Sequence, residues 1–333
     1  MSAVTPWSVA IIACRETLPT LARCVLAAQA AAGRHPTIID VLVNGNDRLA
    51  HETAAAAASW QTECSKVRIW KIEQGDKAHA WNEYVHRIWQ PGSIAFFLDA
   101  YAEAQAGAFP MLAEALSNKP DALAATAVPT AGRSAAWLRA KMLRKGGFHG
   151  NMHLLGVRAM TWARTSGFRL PLGLYRTDSL VNAVLNFNLD PVHNKWDTSR
   201  VAVVGTASWN VQDIARLTPA NIIGQLKRKV RQARGVLENL AVREHLAVRR
   251  QPPESLPQSA YELVSSWLHD HRSEARAIFV RSPLTYYAAR QFRTSRDWSA
   301  CQKAPVCLNC STSLSSEGVV PDVPQRPGGV PRA

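Results

Sequence analysis

Short apolar runs alternate with Ala- and Leu-rich segments of helical length through the first third of this chain. The runs are short enough for strands and apolar enough to be buried in a sheet. Strands that alternate with helices at this spacing predict a doubly wound parallel sheet, and so an α/β fold. The predicted strands cover residues 7–13, 38–43, 67–72 and 94–99, and the predicted helices between them cover residues 17–32, 49–60 and 77–89.

The middle of the chain continues the alternation less regularly. Residues 108–118 and 178–186 predict helices, and residues 122–128 and 201–206 predict strands. Residues 131–150 are basic and punctuated by glycine, which indicates either a loop or a mobile helix.

Composition divides the chain into three parts. A strongly helical and basic segment follows the last predicted strand. From Ser299 onward Pro, Gly and Ser dominate and the hydrophobic periodicity ends, which predicts a disordered tail. The predicted divisions are an α/β domain at residues 1–215 (halves at about 1–105 and 106–215), a basic helical extension at 216–298 and the tail at 299–333.

Charge limits the classes of partner but does not choose among them. The 333 residues include 39 Lys and Arg against 25 Asp and Glu, a net charge of +14, which favours nucleotide phosphates, anionic lipid or nucleic acid. No apolar run approaches the roughly 20 residues that span a bilayer. The N-terminus lacks the charged start of a secretory signal, so we expect a cytoplasmic protein.

The six cysteines are scattered. Three fall in predicted helices or strands and are expected to be buried reduced thiols. Two in the tail have metal-ligand spacing with a candidate third nearby, but structural zinc requires four ligands, so the sequence argues against a zinc site. In chain order they are Cys14, Cys24, Cys64, Cys301, Cys307 and Cys310.

A carboxylate lies at the end of the fourth predicted strand. Asp99 directly follows the run Ile94 to Leu98. In open α/β sheets, ligands bind outside the carboxyl ends of the strands. Asp99 is therefore a candidate to hold a metal ion or a nucleotide sugar, and the alternative is that it caps the next helix or turn.

Several segments, in order, resemble the motifs of family-2 glycosyltransferases of the GT-A type. The resemblance covers about residues 7–235 and rests on order and spacing more than on any one piece. GDKAHAWN resembles the family's GKAxAxN segment and FLDAY resembles its FLDAD metal-binding motif. The matched segments are VAIIACRE at 9–16, VLVNGND at 41–47, GDKAHAWN at 75–82, FLDAY at 97–101, GNMHLL at 150–155, PLGL at 171–174 and TD at 177–178.

This resemblance implies a GT-A-like fold and transfer of a sugar, with inversion, from a nucleotide sugar, foremost a UDP-sugar. The acceptor would be a glycan, a lipid-linked sugar or a small molecule. It also implies Mg²⁺ or Mn²⁺, because a cation neutralises the departing diphosphate. The implied donor-binding residues are Arg15, Glu16, Asn44, Asp47, Lys77, Asn82 and Asp99, the implied metal ligands are Asp99 and Glu103, and the implied general base is Asp178.

The sequence departs from the family pattern at the metal motif and at the acceptor-side ED pair. Tyr101 replaces the second aspartate of the metal motif, and Glu103 lies two residues later. Three hypotheses follow: a metal held by Asp99 with waters, a site completed by Glu103, or a degenerate scaffold that binds without catalysis. Asp178 is preceded by Thr177 rather than by Glu.

Most candidates also have a plain structural interpretation. Lys77 could be a solvated surface lysine. Asn82 could be an ordinary helix residue or could hold a neighbouring loop. Asn44 and Asp47 could serve the turn, and Asp178 could be a helix N-cap. Two histidines are further polar candidates near the acceptor, although a lone histidine is more often structural; they are His153 and His193.

A basic run, KRKVRQARG at 227–235, follows the α/β region. The resemblance implies a helix that covers the diphosphate, with candidates Arg228, Arg231 and Arg234. The alternatives are contact with an anionic membrane, binding of nucleic acid backbone and a solvated face. A QxxRW motif of processive synthases is absent from the sequence, and we expect no specific nucleic-acid binding.

Overall fold

A central sheet runs through the computed structural model, which describes residues 5–132, 134–212, 219–292, 294 and 296–310, without the side chains of residues 219–223. Its strands are β1 (Trp7–Ala13), β2 (Thr37–Asn44), β3 (Ser65–Ile72), β4 (Ala95–Asp99), β5 (Ala102–Ala104), β6 (Ala124–Pro129), β7 (Met152–Leu155), β8 (Val201–Val211) and β9 (Val306–Cys307). The helices are α1 (Leu18–Ala32), α2 (Asp47–Ala56), α3 (Lys77–Glu83), α4 (Ala108–Ser117), α5 (Ala135–Lys145), α6 (Val157–Thr165), α7 (Thr177–Asn186), α8 (Pro219–Arg243), α9 (Ala260–Asp270), α10 (Arg272–Arg281) and α11 (Pro283–Arg290).

The sheet has nine strands in the order β5-β8-β6-β7-β4-β1-β2-β3-β9 over the described residues. Strands β1 to β4 are parallel to one another and alternate with α1, α2 and α3, as the sequence predicts. Beyond β4 the sheet is mixed rather than wholly parallel, because β7 runs antiparallel to both of its neighbours, β4 and β6. The predicted α/β fold class is confirmed, and the expectation of an all-parallel sheet is wrong.

Each face of the sheet has its own hydrophobic cluster. Alternate residues of β1 divide between them: Val9 and Ile11 join the cluster that includes α1, α2 and α4, whereas Ala10 and Ile12 join the other. That second cluster also contains Leu237 of α8 with side chains of α3, α6, α7 and α9. The predicted helical extension therefore shares its core with the α/β region.

Residues 135–145 of the basic, glycine-punctuated segment form α5, so the helix is the one of the two alternatives that the structure contains. The boundaries of two other helices depart from the simple prediction. The helix predicted at 77–89 is α-helical only to Glu83 and continues as a π-turn at Tyr84–Ile88. The long basic helix α8 likewise ends in a π-turn, at Glu244–Val248. None of the described helices is both long and apolar enough to cross a membrane.

The predicted tail is ordered over its first part. Strand β9 pairs antiparallel with β3, placing Cys307 opposite Trp70. The Asn309 carboxamide accepts from the Ile69 amide at 2.7 Å and donates to the Val67 carbonyl at 3.0 Å. The prediction of disorder is therefore wrong for residues 299–310, and residues 311–333 lie outside the described residues. Cys307 and Cys310 are joined by a disulfide rather than placed as metal ligands.

Candidate active site

A cleft opens at the carboxyl ends of β1 and β4. Asp99 is the last residue of β4, Lys77 is the first residue of α3, and Asp178 lies in the first turn of α7. The fold thus brings together three charged side chains that are far apart in the sequence. The cleft is lined by Ile12, Lys77, Trp81, Phe97, Leu98, Asp99, Phe148, Gly150, His153, Thr177, Asp178 and Val181.

Both carboxylate oxygens of Asp99 are engaged by hydrogen-bond donors. The Lys77 ammonium forms an ion pair with Oδ1. The Tyr101 hydroxyl donates to Oδ2 at 3.0 Å and lies 3.2 Å from Oδ1 of Asn151. Tyr101, which replaces the second aspartate of the motif, therefore donates a hydrogen bond to Asp99, the first aspartate. The resemblance to the family motif did not imply this role.

Lys77 lies close to a second carboxylate as well. A Cβ placed on Gly150 would be 3.5 Å from the Lys77 Nζ and 3.4 Å from the Asp178 Cβ, so the bare backbone of Gly150 borders both side chains. Burial alone would lower the pKa of Lys77, but the charges of Asp99 and Asp178 outweigh it and raise that pKa. The ammonium is therefore held protonated beside two carboxylates, with 37% of the side chain still exposed.

Asp178 faces the cleft and does not cap its helix. The N-cap residue of α7 is Arg176, and no side chain bonds the helix's first amides there. The Asp178 carboxylate lies 3.7 Å from the Arg176 Nε and lines the cleft. The capping interpretation of Asp178 is thus wrong, and its carboxylate lines the cleft instead.

Two histidines stand behind the charged groups. His153 stacks on Phe97 with 5.1 Å between ring centroids, and burial lowers its pKa to about 3, so it is neutral and forms part of the wall. His149 was not singled out by the sequence. Burial lowers its pKa while the Asp178 and Asp99 charges act in the opposite direction, and its Nδ1 accepts from the Asn151 amide at 3.2 Å.

The other acceptor-side histidine considered lies elsewhere. His193 is exposed, and its Nδ1 lies 2.7 Å from the Asp190 carboxylate in a surface ion pair. It is not among the residues that line the cleft.

The donor-side candidates at the ends of β1 and β2 have local partners. Glu16 accepts hydrogen bonds from the amides of Cys14 and Arg15 at 2.7 and 2.9 Å. Asn44 is buried and donates to the Ala13 carbonyl at 2.7 Å. Their turn chemistry is therefore present in the structure, and contact of Arg15, Glu16 and Asn44 with a nucleotide stays a prediction.

Asp47 is an exposed donor-side candidate. Its carboxylate forms an ion pair with Lys71, which lowers the pKa of Asp47, and the side chain is 64% exposed. The neighbouring Asn46, not Asp47, caps α2 by accepting from the Leu49 amide at 3.1 Å. A donor contact by Asp47 also stays a prediction.

Asn82 holds a loop rather than the nucleoside. Its carboxamide donates to the Leu170 carbonyl at 2.9 Å and accepts from the Leu170 amide at 2.8 Å. Because both polar atoms are used inside the protein, the structure supports the loop-holding alternative and not the predicted donor contact.

Asp76 fixes the same loop from its other end. One carboxylate oxygen caps α3 by accepting from the His79 amide at 2.8 Å, and the other accepts from the Gly173 amide at 3.0 Å. The loop that carries Asp76 is itself close to the loop after β2. There Gly45 has φ of +64°, and a Cβ on it would lie 2.3 Å from the Gly75 Cα. Only glycine allows this approach.

Arg234 of α8 is also committed to the loop. Its guanidinium donates to the Gly173 carbonyl and, at 2.9 Å, to Glu238. Buried Glu238 in turn accepts from the amides of Tyr175 and Arg176, both at 3.0 Å. Arg234 thus has a structural role at this loop, and its contact with the diphosphate stays a prediction.

The two other arginines predicted to meet the diphosphate lie earlier on α8. Arg228 is exposed and Arg231 is half-buried. Neither is among the residues that line the cleft, so their diphosphate contacts stay predictions.

Glu103 does not complete a metal site. Its carboxylate accepts from the Arg23 Nε at 3.0 Å, and Glu103 is not among the residues that line the cleft. Within the described ranges, no group of three or more His, Cys, Asp or Glu side chains is arranged to hold a metal ion. The hypothesis of a site completed by Glu103 is therefore not supported.

The architecture resembles solved glycosyltransferases. The chain superposes on mannosyltransferase PcManGT from Pyrobaculum calidifontis, solved in complex with GDP-Man and Mn²⁺, with a TM-score of 0.51 and 16% identity, over 86% of this chain and 84% of that one. This chain has a GT-A fold. It is also similar to residues 1–349 of TarS from S. aureus in complex with UDP-GlcNAc, with a TM-score of 0.49 and 11% identity, over 86% and 80% of the two chains. No family model and no curated protein matches the sequence.

Three residues from the matched sequence segments lie together at this cleft. Asp99 ends β4, Lys77 begins α3, and Asp178 reaches the same cleft from α7. Tyr101, Asn151 and His149 complete the constellation and were not foreseen. Tyr101 was visible only as a departure from a motif and Asn151 only as part of the matched segment at 150–155, whereas nothing in the sequence marked His149.

Proposed function

We propose that this chain is a glycosyltransferase that moves a sugar from a nucleotide sugar, foremost a UDP-sugar, to a hydroxyl of a glycan, lipid-linked or small-molecule acceptor, with inversion at the anomeric carbon. The observation that carries the proposal is the meeting of Lys77, Asp99 and Asp178 in one cleft. That cleft lies at the carboxyl ends of the strands of a GT-A fold, where α/β sheets bind nucleotides.

Asp178 is the general base in this proposal. Its carboxylate takes the proton of the acceptor hydroxyl while the hydroxyl oxygen attacks the anomeric carbon. The bond from that carbon to the diphosphate breaks on the opposite side, and its electron pair leaves with the phosphate oxygen. One base and one displacement give inversion. The neutral His153 of the cleft wall takes no proton in this step.

Lys77 stands where charge develops on the leaving diphosphate. An ammonium in a partly buried cleft stabilises that charge more strongly than it would in open water. Asp99 holds the ammonium in place through their ion pair. We therefore assign Lys77 to the diphosphate and Asp99 to the orientation of Lys77.

The donor set around Asp99 does not fit the divalent cation that the resemblance implies. Hard divalent cations prefer several carboxylate and carbonyl oxygens. Here one carboxylate is already shared between an ammonium and a phenol. No step of the proposed reaction therefore passes through a metal ion.

The proposal is tested by combining donor binding with turnover. Purified protein is mixed with UDP-sugars and GDP-sugars, its melting temperature is recorded, and release of nucleoside diphosphate is measured with sugar and lipid-linked acceptors. We expect one donor to raise the melting temperature, since a ligand that binds only the native state stabilises it. Loss of the base in Asp178→Asn should lower release by about 10²- to 10⁴-fold with the donor shift retained.

Asp190→Asn is the matched control, because Asp190 is a surface carboxylate paired with His193 outside the cleft. It should leave both readouts unchanged. A protein whose melting temperature responds to no nucleotide or nucleotide sugar would contradict the proposed function.

A second candidate function is a non-catalytic binding protein on the same scaffold. Tyr101 favours it, because it removes one of the motif carboxylates. This candidate predicts a donor-dependent rise in melting temperature with no release of nucleoside diphosphate, and no difference between wild type and Asp178→Asn in either readout.

A further inference from the structure

We propose that this chain binds the donor diphosphate without a divalent cation, and that the Lys77 ammonium, seated beside Asp99 and Asp178, supplies the positive charge in its place. The inference rests on the proposed function, since it concerns the donor of that transferase. It assigns the substrate's diphosphate to a protein side chain.

The first argument is the occupancy of Asp99. Its Oδ1 is paired with Lys77, and its Oδ2 accepts from the Tyr101 hydroxyl at 3.0 Å. A cation bound to either oxygen would have to displace one of these donors. Tyr101 offers only a neutral phenol in return, which is a poorer ligand for Mg²⁺ or Mn²⁺ than the aspartate it replaces.

The second argument is electrostatic. A divalent ion on Asp99 would stand next to the Lys77 ammonium, and like charges at such distances in a partly buried cleft repel strongly. Asp178, which borders Lys77 across Gly150, adds a second negative charge to the same ammonium. The lysine is thus already the counter-ion of Asp99, the carboxylate on which a metal would have to bind, and it also lies beside Asp178.

The third argument is the remaining capacity of Lys77. An ammonium has three protons to donate, and the contact with Asp99 uses one. The side chain lines the cleft and is 37% exposed, so it is accessible to a phosphate oxygen. Glu103, the other carboxylate in this part of the sequence, is bound to Arg23 at 3.0 Å and competes for neither the lysine nor a metal.

The test measures binding of UDP and GDP by calorimetry to metal-stripped protein, with EDTA and then with Mn²⁺. For the better ligand we expect the Kd to agree within about twofold under the two conditions, a difference below 0.5 kcal/mol. Lys77→Met removes the charge but keeps the length of the side chain. It should weaken metal-free binding by about tenfold or more, as expected for loss of a charge-assisted hydrogen bond.

A second experiment converts the site into one that should bind a metal ion. The double variant Lys77→Met with Tyr101→Asp removes the ammonium and restores the second aspartate, so it should bind Mn²⁺, read by the loss of the free-ion electron paramagnetic resonance signal. Wild type should not bind Mn²⁺ in this assay. Lys119→Met is the matched control, because Lys119 is exposed and does not line the cleft; it should behave as wild type.

The outcomes separate the two proposals. Binding of nucleotide to wild type only when Mn²⁺ is present would overturn this inference and leave the proposed function standing. No binding of either nucleotide under any condition would overturn both. The wild-type comparison needs no substitution, so it decides the matter even where Lys77→Met fails to fold.

Discussion

Tyr101 shares its hydroxyl between the carboxylate of Asp99 and the carboxamide of Asn151. Asn151 is buried and lies on the segment that leads into β7, whereas Asp99 ends β4. The phenol therefore ties the end of β4 to the segment before β7, next to the cleft.

Tyr101→Phe should lower the free energy of unfolding by about 1 kcal/mol, because two acceptors lose their shared donor. Urea denaturation measures the change. Tyr287→Phe is the control, since Tyr287 is an exposed side chain on α11, and it should be neutral. Equal stability of wild type and Tyr101→Phe would contradict the role assigned to the hydroxyl.

His153 makes the stability of the protein depend on pH. Burial lowers its pKa to about 3, below its ordinary value of 6.5. The unfolded chain binds the proton first as the pH falls, so the stability due to neutral His153 is complete above about pH 6.5 and declines as the pH approaches the folded value.

His153→Phe should therefore flatten the pH dependence of stability. Between pH 7.5 and 5.5, wild type should lose about 1 kcal/mol more than the variant does. Urea denaturation at both pH values measures the difference. Identical slopes for His153→Phe and wild type would show that this histidine titrates alike in the folded and unfolded chains.

At the scale of elements, α8 acts on the cleft through the loop that precedes α7. Buried Glu238 receives two backbone amides of that loop, and Arg234 holds both Glu238 and the Gly173 carbonyl. The helix thus holds the loop that leads to Asp178, and none of its side chains from residue 224 to 243 lines the cleft.

Glu238→Gln should lower the free energy of unfolding by about 2 kcal/mol, because it leaves the Arg234 charge without its buried partner. The Kd for the nucleotide should stay the same, whereas KM for the acceptor should rise. Urea denaturation and acceptor titrations measure these changes, with Glu274→Gln on the exposed face of α10 as the control. A change in the Kd for the nucleotide would contradict a role confined to the loop that precedes α7.

Helix α5 presents another surface. Trp137 is 65% exposed and Leu143 is 50% exposed, and the Lys141 ammonium lies 5.1 Å from the Trp137 ring. Aromatic, aliphatic and basic side chains on one exposed helix suit the headgroup layer of an anionic membrane.

We expect wild-type protein to co-sediment with vesicles that contain phosphatidylserine and not with phosphatidylcholine vesicles. Trp137→Ala combined with Lys141→Ala should weaken that association by about tenfold, since each basic residue near the surface contributes about 1 kcal/mol. Leu284→Ala on α11 tests whether loss of any exposed apolar group has the same effect. Equal sedimentation with both lipids would contradict a membrane-facing α5.

For the whole molecule, the sequence predicted those elements whose formation depends on a local pattern of residues. The runs that became β1, β2 and β4 are mostly apolar, and in β3 apolar residues alternate with polar ones. Asp99 marks the end of its own strand. Strand β5 has three residues and β9 has two, which is too short for any periodicity. Their pairing depends on partners remote in the chain.

The same distinction holds for the site. Lys77, Asp99 and Asp178 could be named because each belongs to a motif, but what Asn82 and Arg234 do depends on partners 88 and 61 residues away. Tyr101 shows the limit most clearly. Its identity was visible as a departure from the motif, yet only the folded arrangement with Asn151 reveals that it acts as a donor.

The short strand β9 has a consequence unrelated to catalysis. It covers the outer edge of β3, which would otherwise present unpaired amides and carbonyls to solvent. Removing residues 306–310 would expose an eight-residue edge strand to other copies of the chain, which light scattering would detect as self-association. A two-residue strand near the end of the described chain thus guards the protein against aggregation.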